Sequence, residues 1–367
     1  MNFDFTDDQN ALRDAVARWV EKDFVFDRRH AIAKQGGRTR EVYRQLADLG
    51  LTGLAIAPEH GGLGQGAVEA MVVMEELGRG LVNAPYAAGA LIAPSLVSDG
   101  GWLSRIADGS ALVVLAHQER GARYRVNAPA ATAVQQGGDW ALTGAKQLVP
   151  AGDEADAFVV PARMAPHEAA PLGLFLVERA RCEVRGYPTQ DGARAADVAL
   201  SATPATLQIA EGLPALERAI DIGIAAACAE GVGAMDRLVA LTVEYMNTRK
   251  QFGATLASFQ ALRHRMADIK MQLELARSMS YFASLKLNEP APQRRRALSQ
   301  AKVQLGHSMR FVGQQCIQLH GGIGVTDEVA ASHYFKRLTM LELAFGDTMH
   351  HLGEVSERMT DTAGVFA

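Results

Sequence analysis

Two stretches of the chain combine residue types that can hold an anion beside an apolar surface. Thr248 to Gln260, TRKQFGATLASFQ, sets Arg249, Lys250, Gln251 and Phe252 directly ahead of Gly253. A guanidinium there can meet a phosphate through parallel N–H groups, and the neighbouring ring supplies an aromatic face. Gln314 to Asp327, QQCIQLHGGIGVTD, carries Gly321-Gly322 and then Gly324. Glycines at such a place let the backbone come close to a ligand and leave N–H groups free for an anion. On spacing alone the first stretch also reads as a solvated helix corner.

Both stretches need helices to present them. Leu213 to Asn247 is rich in Ala, Leu, Ile and Met, has no proline after Pro214, and reads as one long buried helix. Arg249 and Lys250 fall in its expected last turn, where cations suit the helix dipole, and Gly253 is placed to end it. Phe259 to Leu287 starts another helix with Met266, Ile269, Leu273 and Ala276 on one face, and a third runs from about Arg294 to the glycines. Near the amino terminus, Thr6-Asp7-Asp8-Gln9 is a capping-box pattern, after which Leu12, Val16, Trp19 and Val20 share a helix face. Glu41 to Leu49 and Val68 to Leu77 are further helices. Between them Pro58 to Gly64, PEHGGLG, lacks the Lys-Ser/Thr of a phosphate-binding P-loop and its strand-to-helix context, so it reads as a turn packing helix ends.

From about Ala111 the pattern changes. Leu112 to Leu115 is an apolar run, Ala131 to Val134 and Trp140 to Thr143 flank the turn Gln136-Gly137-Gly138-Asp139, and Phe158 to Val160 and Leu172 to Val177 are further strands. Short strands with turn signals between them predict a small β-sandwich or barrel, and beyond Pro204 helices are expected to return. The fold class is mostly α with a central β-domain, divided as 1–110, 111–205 and 206–367.

At 367 residues the chain is too long for one ordinary core. A net charge of −4 argues against a general nucleic-acid binder. There is no basic, apolar leader and no apolar run that would span a bilayer, so a soluble cytoplasmic protein is expected. Cys182, Cys228 and Cys316 lie far apart and are expected to be reduced core thiols. His350, His351 and Glu354 have helical spacing, but no Glu-x-x-His motif accompanies them elsewhere, and no metal site is expected.

TRKQFG and QLHGGIG, in this order and separation, resemble the carboxy-terminal helical domain of the acyl-CoA dehydrogenase family, and PEHGGLG followed by EELGRG resembles its amino-terminal one. The helix–strand–helix layout is similar to that family's three-part architecture. The resemblance implies a flavoprotein that oxidises the α,β bond of an acyl-CoA thioester with FAD, a carboxylate base, and electron-transferring flavoprotein as acceptor. By motif position it implies that Arg249, Phe252 and Gln260 hold the pyrophosphate and adenosine half of the cofactor. Gln318, Gly321 and Gly322 would meet the adenosine half from a neighbouring subunit, hence an oligomer.

Two departures from the family pattern stand out. Where members carry a Thr-Glu-Pro segment and a Trp-x-Thr beside the flavin ring, this chain reads Leu115 to Arg120 and Leu148-Val149-Pro150. Where members carry a catalytic Glu near the carboxy terminus the chain has Phe345, and at the alternative place on the long helix it has Gly223. The catalytic residue is therefore unknown; Asp221 and Asp347 are the nearby substitutes, with Glu342 a further one, though Asp221 reads equally as a helix-face residue and Asp347 as a cap. HYFKRLTM, FGD and YPTQDGARAADV resemble the small-subunit type of bacterial members, such as the pimeloyl-CoA dehydrogenase small-subunit type. That likeness implies a homologous partner chain supplying the Glu and a bulky or dicarboxylic acyl-CoA. The other readings are a cofactor- or partner-binding subunit without chemistry, and a homo-oligomeric enzyme using Asp221 or Asp347.

Overall fold

The computed structural model describes residues 4–164 and 171–359. In chain order the helices α1 Asp7–Asp23, α2 Phe26–Lys34, α3 Arg40–Asp48, α4 Ala67–Arg79 and α5 Gly100–Ala107 come first. Strands β1 Val113–Leu115, β2 Thr132–Gln136, β3 Asp139–Pro150, β4 Ala157–Met164, β5 Leu172–Glu178, β6 Glu183–Pro188 and β7 Arg194–Ile209 follow. The long helix α6 Gly212–Thr248 leads to two short strands, β8 Lys250–Gln251 and β9 Ala254–Thr255, and then to α7 Gln260–Lys286, α8 Ala291–His320, α9 Ala330–Leu343 and α10 Thr348–Met359. Helical amino- and carboxy-terminal parts around a β region match the expected fold class.

By internal contacts the chain divides into two compact units. One comprises Met1–His30, Ala67–Val82 and Ile224–Ala367, and is helical. Its first helix begins as the sequence indicates: the Gln9 N–H donates to the Thr6 hydroxyl at 3.2 Å while the Thr6 N–H donates to the Gln9 side chain at 3.0 Å. Val16, Trp19 and Val20 are buried from this helix. Helix α8 packs against α7, α9 and α10. Helices α4 and α6 touch backbone to backbone: a Cβ on Gly78 would sit 2.1 Å from the Glu230 carbonyl oxygen, and one on Gly233 would sit 1.8 Å from that of Glu75. Only glycine permits that approach.

The other unit, Ala31–Gly66 with Asn83–Gly223, holds the sheet. The turn Gln136 to Asp139 joins β2 and β3 as an antiparallel hairpin with Gln136 opposite Asp139. Strand β3 then pairs β7, β7 pairs β5, β5 pairs β4, and β4 returns in parallel to β2, so the five strands close into a barrel. Closure leaves those strands without free edges. Strand β1 extends from β4 in parallel and β6 lies along β7. Leu142, Phe158, Val160, Phe175, Val177, Val198 and Leu200 fill the interior. Pro204 does not end the strands as the sequence predicts. It lies within β7 opposite Ala141, just beyond a bulge at which Ala202 takes a φ of 48° and its N–H meets the Thr143 hydroxyl at 3.3 Å, and helix resumes only at Gly212.

Candidate cofactor and active site

Gly253 does not terminate the long helix. Helix α6 ends at Thr248, the Arg249 N–H still donates to the Tyr245 carbonyl at 2.8 Å, and Lys250-Gln251 then pairs with Thr255-Ala254 in an antiparallel hairpin. Its two-residue connection, Phe252-Gly253, has φ of 55° and 79°, the doubly left-handed geometry of a type I′ hairpin. The last helical turn therefore stops short of Arg249 and Lys250, and the dipole argument for those two cations does not hold. Phe252 is 93% exposed at the hairpin tip, with Arg249, Lys250 and, at the start of α7, Gln260 exposed around it. A phenylalanine in left-handed backbone with its ring in solvent costs both strain and exposed apolar area; such outliers mark sites where something else covers the residue.

At the carboxy end of α8, Gln318 is exposed, His320 is buried, and Gly321 takes φ 66° and ψ −146°, a region open to glycine alone. A Cβ at Gly321 or Gly322 would meet nothing, so their backbone faces open space. The two segments are joined inside one chain by rings: Tyr245, one turn before Arg249, stacks on His320 with centroids 4.6 Å apart and planes 20° apart, and the Tyr245 hydroxyl donates to the His320 carbonyl at 3.3 Å. His320 Nδ1 lies 2.9 Å from the Cys316 carbonyl, which can only accept, so Nδ1 carries the proton.

The candidate bases are occupied otherwise. Asp347 caps α10, accepting the His350 N–H at 2.8 Å. The Glu342 carboxylate is buried and accepts the Thr348 N–H at 3.1 Å, the Thr348 hydroxyl at 2.7 Å and Arg310 at 3.2 Å. Phe345 stands in the turn between α9 and α10 with φ 58°, followed by Gly346 at φ 115°. Fully buried Lys302 fixes that turn, donating to the carbonyls of Leu341 at 3.0 Å, Glu342 at 2.7 Å and Gly346 at 2.8 Å. Burial pushes its ammonium down to about 8. His351 closes the turn from the other side, donating Nε2–H to the Phe345 carbonyl at 3.1 Å and accepting from Ser299 at Nδ1, 3.3 Å away. Burial drives His351 down to about 3, so it is neutral with both nitrogens engaged. Among the described residues no group of three or more His, Cys, Asp or Glu side chains could hold a metal. Asp221 and Gly223 are buried on α6 within the other unit.

In the barrel, Leu148 sits at a register shift of β3 with φ 52° and 55% of its surface exposed, and Pro150 ends the strand without an N–H to offer. Neither residue supplies the aromatic stacking or donor that a flavin ring would use there. Behind them, fully buried Lys146 donates to Glu119 at 2.5 Å and to the Pro161 carbonyl at 2.8 Å. Burial alone would raise the Glu119 carboxyl; the Lys146 ammonium and the N–H groups of Ala130 and Ala131 outweigh it and hold it below the usual range. Burial, with the Lys146 charge added, presses nearby His117 down to about 4.

Sequence patterning singles out neither Tyr245, His320, Lys302 nor Lys146. An aromatic residue one turn ahead of the Arg-Lys pair and a histidine touching the glycine pair were the available signals for the first two. A lysine inside a helical run gives no sign that its ammonium will be buried.

The description "Acyl-CoA dehydrogenase, N-terminal domain" matches residues 6–101 and "Acyl-CoA dehydrogenase, C-terminal domain" matches residues 210–360. The acyl-CoA dehydrogenase IpdE2 of Mycobacterium tuberculosis is 31% identical, over 90% of this chain and 91% of its own. Among solved structures, one described as a Tcur3481-Tcur3483 steroid ACAD variant superposes with a TM-score of 0.87 at 26% identity, over 97% of this chain and 99% of that one. The ChsE4-ChsE5 complex from Mycobacterium tuberculosis shares the fold with a TM-score of 0.88 at 23% identity, over 99% of this chain and 100% of that one. Two paired domains in the right order, and a relative at this identity along nearly the whole length, establish that the chain belongs to the acyl-CoA dehydrogenase family.

Proposed function

We propose that the chain is one subunit of an FAD-dependent acyl-CoA dehydrogenase whose catalytic glutamate comes from a homologous partner chain. The observation that carries this reading is the turn at Phe345, at the position where the resemblance places the base. It holds no free carboxylate, since Glu342 and Asp347 are spent on the Thr348 and His350 N–H groups. A phenylalanine cannot take the α proton.

The nucleotide half of the cofactor fits residues this chain does offer. The exposed Arg249 guanidinium suits a diphosphate, the exposed Phe252 ring suits a planar base or the apolar side of a neighbouring subunit, and the open backbone at Gly321 and Gly322 allows close approach, with Gln318 and Gln260 as further donors. The ring half fits poorly against Leu148 and Pro150. FAD, the cofactor of the family, supplies the hydride acceptor when bound. The work left to this chain is to bind and orient, while proton removal falls to the partner. Two of the structures sharing this fold carry two chain names each, Tcur3481-Tcur3483 and the ChsE4-ChsE5 complex, which supports a paired assembly. Gly223, at the alternative base position, favours a bulky acyl group, and "steroid" in the former description favours the same; electrons would pass on to an electron-transferring flavoprotein.

Co-expression with a glutamate-bearing homologue, followed by anaerobic addition of bulky acyl-CoA thioesters, tests the proposal. Bleaching of bound flavin that survives Asp347→Asn and Asp221→Asn in this chain, and is lost when the homologue's glutamate becomes glutamine, is the expected result. Loss on Asp221→Asn in a fully folded protein would move the base to this chain.

A further inference from the structure

The segment after β1 has a charge pattern that the cofactor and base arguments do not use. From Arg120 to Gly138 the chain has Arg120, Arg123 and Arg125 and no acidic residue, within a protein whose net charge is −4. All three arginines are exposed. Two successive tight turns keep their backbone compact, the Ala122 N–H donating to the Glu119 carbonyl at 3.1 Å and the Arg125 N–H to the Ala122 carbonyl at 3.0 Å.

The base of this loop is built to stay in place. The Glu119 carboxylate accepts the N–H of Ala130 at 2.5 Å and of Ala131 at 3.1 Å, clamping the far end of the loop to the near end, and is itself held by buried Lys146. Arg163 on β4 donates to the Pro129 carbonyl at 3.1 Å, a further tie at the same end. A short surface loop with both ends clamped is the form in which loops carry binding groups. Its tip also holds a residue that backbone preference disfavours: Arg123 takes φ 49°, where glycine or asparagine would sit at lower cost. Keeping an arginine there costs stability that a purely connective turn would not need to spend. The carboxylate bonded to the loop, Glu119, is already neutralised by Lys146, and among the described residues no carboxylate pairs with the three guanidinium groups.

We propose that the loop from Arg120 to Arg125 is an anion-docking arm that engages the phosphate groups of the coenzyme A carrier. The inference rests on the dehydrogenase reading for the identity of the ligand. Phosphate esters and diphosphates are the groups that planar guanidinium forks bind in paired geometry, and a thioester carrier brings both kinds.

Calorimetric titration of the purified full-length chain with coenzyme A, dephospho-coenzyme A and pantetheine tests this, at low and at physiological salt. The comparison is with the combined variant R120Q/R123G/R125Q and with R120K/R123K/R125K. The Arg123→Gly change relaxes the left-handed backbone, so the loop should fold at least as readily. We expect affinity for coenzyme A to fall by about tenfold for each guanidinium that contacts a phosphate. Pantetheine binding should be unchanged, the salt dependence should vanish in the combined variant, and the lysine variant should keep it while losing some affinity. Weaker dephospho-coenzyme A binding by the unaltered chain would assign the arm to the 3′-phosphate, and equal binding to the diphosphate; either agrees with the proposal. Equal coenzyme A affinity in the unaltered and combined variants, a parallel fall for pantetheine, or no coenzyme A binding by the unaltered chain would overturn it. Those results would leave flavin bleaching in the co-expressed complex untouched, whereas failure of the bleaching with the arm's binding intact would reject the dehydrogenase reading alone.

Discussion

The Tyr245 ring lies flat on His320, 4.6 Å between centroids, and this stack fastens the end of α6 to the glycine turn after α8. Two segments far apart in sequence are thereby held as one surface. Removing the ring should loosen both. Tyr245→Leu is expected to cost about 1–2 kcal/mol from the lost ring contact and hydroxyl bond. Tyr245→Phe, which keeps the stack, should cost less. Thermal melting of the two variants, with FAD affinity measured alongside, checks the order: Leu below Phe below the unaltered chain in both.

Phe252 separates fold from function. Its left-handed backbone and 93% exposure mean that Phe252→Gly should be neutral or stabilising by up to about 1 kcal/mol. The same change should weaken FAD retention in the assembled enzyme, because the covering ring is gone. Melting temperature and flavin content after gel filtration are the two readings, and a parallel fall in both would assign Phe252 to packing instead.

Asp347 should behave as a cap. Asp347→Asn retains an acceptor for the His350 N–H, so a stability loss of less than about 1 kcal/mol is expected. Flavin reduction by acyl-CoA in the co-expressed complex should continue near its original rate.

His351 gives a pH dependence of definite sign. Its pKa falls from the ordinary 6.5 to about 3 on folding because burial disfavours the charged ring. Below 6.5 the unfolded chain binds a proton that the folded chain refuses until about pH 3, so this contribution is fully present above 6.5 and is lost progressively as pH drops. At about 1.4 kcal/mol per pH unit the loss reaches several kcal/mol as an upper bound. Denaturant unfolding of the unaltered chain and His351→Gln at pH 7 and pH 5 should show a smaller acid penalty in the variant.

The long helices were legible because apolar periodicity over tens of residues leaves one reading, and the Thr6–Gln9 capping box and the hairpin at Gly137-Gly138 follow from local chemistry alone. Strand β7 was not, since Arg194–Ile209 is rich in alanine and interrupted by Pro204, and its extended form depends on pairing with β3 and β5. Barrel closure likewise rests on pairings between distant strands. In sequence the hairpin tip at Phe252-Gly253 reads as a helix stop because a glycine after an Arg-Lys pair fits both; pairing of Gln251 with Ala254 decides it. The residues proposed to hold the nucleotide take their assignment from motifs, whereas the Lys302 knot beneath Phe345 depends on three carbonyls brought together only by the packing of α8 against α9 and α10.

The most direct test of the central claim is the visible absorption spectrum of this chain purified without a partner, followed by anaerobic titration with acyl-CoA thioesters. If Phe345 stands where the family's base is expected and Leu148 and Pro150 where its ring contacts are expected, as proposed, flavin should be absent or should fail to bleach, and bleaching should appear on co-expression with a glutamate-bearing homologue. Stoichiometric flavin that bleaches in the single chain would contradict the account and place the base within this sequence.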